Sequence, residues 1–115
     1  KGMEYLAEEE GIDRNYPINI AATNSDGTRL WLLIGDGKQP LYSEGTTLRE
    51  AMEILREVGA VNAIQLDGGG STTIAIEENG QPKIINAVIH AKVPGLERPV
   101  ANSLGFFAEP ISEVK

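Results

Sequence analysis

The chain has 115 residues, 41% of them hydrophobic, with a formal net charge of −7 and a sequence pI near 4.6. That length holds one domain with a modest core, and the acidic balance argues against nucleic acid or an anionic membrane surface as the main partner. With no cysteine and a single histidine, His90, disulfides, cysteine nucleophiles, His-based triads and multi-histidine metal sites lack their residues, so acid–base chemistry falls to carboxylates, hydroxyls, Lys or Arg. No apolar run approaches the roughly 18 residues of a membrane helix. No signal peptide is visible, and neither a metal nor a cofactor is expected.

Residues 3–10 have the pattern of a short acidic helical piece ended by Gly11. Pro17 opens an apolar strand from Ile18 to Thr23, Asn24-Ser25-Asp26-Gly27 is a turn signal, and Thr28 to Ile34 is a second strand, together a hairpin. Leu30-Trp31-Leu32-Leu33-Ile34 is continuously apolar, which predicts a strand covered on both faces in the middle of a sheet. Thr47 with Glu50 has the form of a capping box, and Leu48, Ala51, Met52, Leu55 and Val58 recur at helical spacing, so a helix is predicted over 47–58, ended by Gly59. Arg49, Glu53, Arg56 and Glu57 fall on its polar face.

Val61 to Leu66 is the next strand. Thr72 to Ile76 and Lys83 to Ile89 form a hairpin around Asn79-Gly80, Ala91 to Pro99 is a loop, and Val100 to Ala108 is a last strand. The fold class is α+β: a mixed, mostly antiparallel central sheet with one main helix packed on it.

The segment Gln65-Leu66-Asp67-Gly68-Gly69-Gly70-Ser71-Thr72-Thr73 carries the most information. An apolar strand runs into an acid, three glycines and three hydroxyls. Consecutive glycines are entropically costly and are kept where no side chain fits, which points to a site for a polar, oxygen-rich ligand; a tight turn between strands is the plainer reading. Asp36 follows strand 30–34 and Asp67 follows strand 61–66. If those strands are parallel neighbours, both acids emerge at one sheet edge, where open α/β sheets bind ligands. Each of the other polar residues has a plain alternative: Asp36 as a turn aspartate, Glu44 as a solvated acid near a helix N-terminus, Arg98 as a surface cation paired with Glu97, and His90 as a loop or strand-end residue.

The ordered motifs Asp36-Gly37-Lys38-Gln39, Tyr42-Ser43-Glu44-Gly45, Thr47-Leu48-Arg49-Glu50, Gln65 to Thr73 and Glu97-Arg98-Pro99-Val100-Ala101-Asn102 closely resemble those of the phosphodiester glycosidase family over about residues 17 to 108. That family includes the enzyme that removes N-acetylglucosamine from a phosphodiester on lysosomal-enzyme glycans. The resemblance implies a hydrolase that cleaves a sugar from a glycosyl phosphodiester, with a sugar phosphate or cell-envelope glycopolymer as substrate, in a secreted or cell-surface protein of bacterial or phage origin. It also implies that residues 1–115 are the C-terminal portion of a longer domain, whose N-terminal portion is missing or supplied by another chain; a homo-oligomer is a further option. Two positions depart from the family pattern: Ile18-Asn19 stands where members commonly carry Arg-Thr, and Gln65 where they carry Asn.

On this resemblance Asp67, Glu44 and Asp36 are the candidate catalytic carboxylates, with Asp36 and Asn102 also positioning the sugar. Gly68, Gly69, Gly70, Ser71, Thr72 and Arg98 are the candidate phosphate-binding residues, because phosphate needs charge neutralisation more than protonation as it leaves. The rival readings are a non-catalytic carbohydrate- or glycopolymer-binding module and a structural piece of a surface or phage-tail protein.

Overall fold

A computed structural model describes residues 14–111; the helical piece expected over 3–10 lies outside them. The described chain is α+β, with one helix and three small antiparallel sheets. Strand β1 (Ile18–Thr23) pairs antiparallel with β2 (Leu30–Gly35) and with β3 (Asn62–Gln65), giving the order β2-β1-β3. The hairpin between β1 and β2 closes as its turn residues predict: Asp26 Oδ1 accepts from the Thr28 N–H and hydroxyl at 3.2 and 2.7 Å.

Helix α1 (Leu48–Glu57) begins with the predicted capping box. Thr47 Oγ1 accepts from the Glu50 N–H at 3.1 Å and Glu50 Oε2 from the Thr47 N–H at 2.9 Å, satisfying two donors that a helix start leaves open. Its buried residues are Ala51, Met52 and Leu55. Ile18, Ile20 and Ala22 join Ala51, Leu55 and Ala60 in one core cluster, with Trp31, Leu33 and Leu48 packed against it. The cross-strand pairs Ile20–Leu33 and Ala22–Trp31 put those side chains on the same, helix-facing side. Val58, counted on the sequence as part of the stripe, is the C-cap and is 47% exposed.

Two expectations about the sheet are corrected. Strands β2 and β3 are parallel but not neighbours, because β1 lies between them. Strand β2 is consequently an edge strand with Leu30 and Leu32 exposed, so its unbroken apolar run does not mark a strand covered on both faces. Val100 to Ala108 forms no strand: among the described residues it finds no ladder partner, and Val100, Leu104, Phe106 and Phe107 are exposed.

The hairpin β4 (Ala75–Glu78) and β5 (Gln81–Ile84) turns at Asn79-Gly80, both at positive φ. It ends earlier than expected because the Ala87 N–H leaves the ladder for the Asp36 carboxylate. A further hairpin, β6 (Ile89–His90) and β7 (Val93–Pro94), stands where a loop was expected. Its two turn residues, Ala91 and Lys92, have φ of 51° and 63°, a conformation that sequence rules reserve for Asn and Gly. Among the described residues no helix is long and apolar enough to cross a membrane.

Candidate functional site

The site gathers around Tyr16 and Pro17, which precede β1. Because β2 and β3 both run antiparallel to β1, their C-terminal ends meet its N-terminal end: Ile18 lies opposite Gly35, and Ile20 opposite Gln65. Asp36 and Asp67 therefore leave the sheet at one edge, with the start of β1 between them. The Leu66 N–H donates to the Asn19 carbonyl at 2.7 Å and the Gly69 N–H to the Pro17 carbonyl at 2.9 Å, which ties the glycine segment to that start.

Each of the three glycines has its own reason. A Cβ on Gly68 would stand 2.7 Å from the Pro17 carbonyl oxygen. Gly69 has φ +59°, and a Cβ there would meet the Tyr16 hydroxyl at 2.7 Å. On Gly70 it would meet the Arg98 guanidinium at 2.9 to 3.0 Å. A short 3-10 turn over Gly69–Ser71 uses up part of the expected anion cradle. The Ser71 N–H is bonded to the Gly68 carbonyl and the Thr72 N–H to that of Gly69, both at 3.1 Å. Of the glycine N–H groups, those of Gly68 and Gly70 have no backbone partner among the described residues.

Arg98 reaches this segment from the loop after β7. Its Nη1 donates to Ser71 Oγ at 3.3 Å and its Nε to His90 Nδ1 at 3.2 Å, so Arg98 pairs with neither Glu97 nor any other carboxylate among the described residues. Because Nδ1 accepts, the imidazole proton sits on Nε2. Gly70, His90 and Arg98 line a cleft of about 580 Å³ together with Lys38, Pro40, Ile89, Ala91 and Lys92.

Asp36 is fully engaged. Its Oδ1 accepts from Asn86 Nδ2 and the Ala87 N–H at 3.1 Å each. Its Oδ2 accepts from the Tyr42 hydroxyl at 3.0 Å and from Ala87 at 3.2 Å. The hydrogen bond to this carboxylate, aided by its negative charge and by desolvation, raises the Tyr42 hydroxyl above its ordinary value of 10.0. Asn86 carries the connection onward: its Nδ2 donates to the Thr72 carbonyl at 2.9 Å, and its Oδ1 accepts from the Ile74 N–H at 2.8 Å. Gln39 Nε2 donates to the Ala87 carbonyl at 2.8 Å. Asp36 thus links the end of β2 to the segment that follows the glycines.

The other sequence-chosen residues are placed differently. Asp67 and Glu44 are exposed, and among the described residues no hydrogen bond or ion pair occupies either side chain. The Glu44 carbonyl accepts from the Lys38 N–H at 3.3 Å, which sets this residue beside the cleft wall. Thr72 is buried, 3% exposed, and its Oγ1 has no hydrogen-bond partner among the described residues. Asn102 lies in the exposed stretch after Arg98 and forms no hydrogen bond among the described residues. Ile18, the departure from the family pattern, is a core side chain, 2% exposed. Among the described residues no group of three or more His, Asp or Glu is arranged as a metal site.

Tyr16, Lys38, Asn86 and His90 were not chosen as site residues on the sequence. Lys38 lies inside the first quoted motif, which was the signal available for it. His90 reads on the sequence as a loop or strand-end residue, and it does end β6; nothing local marks Tyr16 or Asn86, whose partners are distant in sequence.

The phosphodiester glycosidase family profile matches residues 5–107. The chain is also similar to oligophrenin-1 of Rattus norvegicus, 30% identical over a 134-residue alignment covering 90% of this chain and 16% of that protein. It is similar to an SPbeta prophage-derived uncharacterized protein, YomE, of Bacillus subtilis (strain 168), 33% identical over 93 residues, 81% of this chain and 13% of that protein. The chain thus spans less than a fifth of the length of either relative. A match that runs through every element of the described fold, and through each segment that meets at Tyr16 and Pro17, places this chain in the phosphodiester glycosidase family.

Proposed function

We propose that this chain carries the phosphate-binding side of a glycosidase that releases a sugar from a glycosyl phosphodiester. One observation carries the reading: the Arg98 guanidinium lies against Gly70, bonded to Ser71 and to a neutral His90, and no carboxylate among the described residues is paired with it. A cation held against bare backbone by neutral partners suits an anionic group. The family match supports the reaction class.

In this reaction the bond between the anomeric carbon and the phosphate oxygen breaks. The phosphate monoester leaves with the electron pair, and water supplies the hydroxyl to the sugar. Arg98, the Ser71 hydroxyl and the Gly70 N–H offset the charge that gathers on the leaving phosphate. Asp67 and Glu44, both exposed, are the carboxylates for the positive charge on the sugar or for the attacking water. Asp36 holds the framework through Asn86 and Ala87, and its role is positioning. Asn102 is assigned to the sugar. The substrate is a sugar phosphate or an envelope glycopolymer, and the setting a secreted or cell-surface protein, both on the family's pattern.

The test is to incubate the full-length protein with a panel of glycosyl-1-phosphodiesters, N-acetylglucosamine among the sugars, and to measure free sugar. Release that disappears in Asp67→Asn supports the enzyme. Binding of every panel member without release favours the second reading, a glycopolymer-binding module. Ile18 favours that alternative: where family members commonly carry Arg this chain has a core side chain, and one cation for phosphate is lost.

A further inference from the structure

The cleft holds more positive charge than one phosphodiester can use. Besides Arg98 it is lined by Lys38 and Lys92. Among the described residues neither lysine has a carboxylate within ion-pair distance, although the chain carries a net charge of −7. Cations that line one cleft with no carboxylate paired to them among the described residues repel one another unless anions join them. A phosphodiester brings a single negative charge, which Arg98 already matches.

The backbone shows that the placement of both lysines is specified. Lys38 and Lys92 have φ of 55° and 63°, and Ala91, also in the cleft wall, 51°. Non-glycine residues in this region are held there against their preference, and such strain concentrates at functional sites. The chain supplies its own control: the hairpin between β4 and β5 makes a turn of the same kind with Asn79 and Gly80, the residues that fit it. At the cleft the same geometry is built from Ala91 and Lys92. The Lys38 ammonium is fixed as well, 4.3 Å over the Tyr16 ring and donating to its hydroxyl at 3.2 Å. That hydroxyl touches the face of Gly69, so this cation is held one residue from the backbone that receives Arg98.

We propose that Lys38 and Lys92 form a second anion subsite beside Arg98, so that the cleft takes a ligand with two negatively charged groups, one on Arg98 and the next on the lysines. The inference rests on the phosphodiester glycosidase reading, and it narrows the substrate from an isolated diester to a chain of successive phosphodiesters or a diester that also carries a phosphate monoester.

The experiment is calorimetry on the full-length protein with three probes that lack an anomeric bond and therefore persist. These are glycerophosphoglycerol with one phosphodiester, glycerol joined by two successive phosphodiesters, and glycerophosphoglycerol ending in a phosphate monoester. Both doubly anionic probes should bind about tenfold more tightly than the first, with a steeper loss in salt, and the tighter of the two identifies the source of the second charge. Lys38→Gln and Lys92→Gln should each remove most of that preference. The pair Ala91→Asn with Lys92→Gly should remove it while raising Tm, because the turn then has residues that fit.

Equal affinity for all three probes would overturn the proposal, as would a preference that survives in the Ala91→Asn, Lys92→Gly protein. If no glycosyl phosphodiester is hydrolysed but the preference holds, the glycosidase reading fails and the subsite stands. If sugar is released but the preference is absent, the subsite alone fails.

Discussion

The guanidinium of Arg98 rests on Gly70 so closely that a methyl group on that glycine would stand 2.9 Å from Nη2. The φ of Gly70 lies outside the left-handed region, so its backbone accepts alanine. Gly70→Ala should therefore keep the fold and push Arg98 off Ser71 and His90. A displacement of about an ångström at such a group costs on the order of 10²-fold in rate. Gly69→Ala is different, because that residue has φ +59° and faces the Tyr16 ring. It should lose about 1–2 kcal/mol of stability from the left-handed backbone before any clash is counted. Chemical denaturation and sugar release measured on both variants separate the two effects.

Asp67 and Asp36 sit at the same sheet edge yet should respond oppositely to amidation. Asp67 is exposed and makes no side-chain bond among the described residues, so Asp67→Asn should leave Tm unchanged and abolish sugar release, since it removes only the charge that the oxocarbenium-like state needs. Asp36→Asn places an NH₂ group where the carboxylate accepts from Asn86, Ala87 and Tyr42. It should cost about 1–3 kcal/mol through unmatched donors, lowering Tm as well as activity. Unmutated turnover in Asp67→Asn would reduce that residue to a turn acid.

Arg98→Lys should lose most activity with little change in stability. An ammonium cannot hold both Ser71 and His90 and still present a second N–H to phosphate, as the guanidinium fork can. The measurement is kcat and KM on the best substrate of the panel.

Leu55 is 2% exposed at the centre of the core cluster. Leu55→Ala should destabilise by about 2–5 kcal/mol, the range for a fully buried leucine that leaves a cavity, and denaturant unfolding checks it. A loss under about 1 kcal/mol would mean that α1 is not anchored by this side chain.

Alkaline pH should loosen the Tyr42–Asp36 contact. The Tyr42 hydroxyl is raised because it donates to Asp36 and because the carboxylate opposes a neighbouring phenolate. A group whose folded value is raised stabilises fully below its unfolded value, here 10.0, and loses that stabilisation as pH climbs through the folded value. Subtracting the phenolate absorbance of Tyr42→Phe from that of the unmutated protein should show a titration above the ordinary tyrosine range. That variant's stability should depend less steeply on pH above the same point.

What the sequence by itself determined is what short-range chemistry controls. Thr47 and Glu50 with the Ala51, Met52 and Leu55 stripe specify α1, because a capping box and a 3.6-residue period act within a few turns. Asn79-Gly80 and Asn24 to Gly27 specify their hairpins in the same way, and the ordered motifs specify the family. Tertiary structure decided the rest. The central position of β1 is a choice among strand pairings, and hydropathy along one strand does not encode it; the apolar run of β2 consequently ended at an edge. Val100 to Ala108 has strand-forming residues but no ladder partner among the described ones, and backbone hydrogen bonds need two strands. The engagement of Asp36 by Asn86 and Ala87 joins positions about fifty residues apart. Ala91 and Lys92 run against local preference outright: the pairing of β6 with β7, not the chemistry of those two residues, makes their hairpin turn.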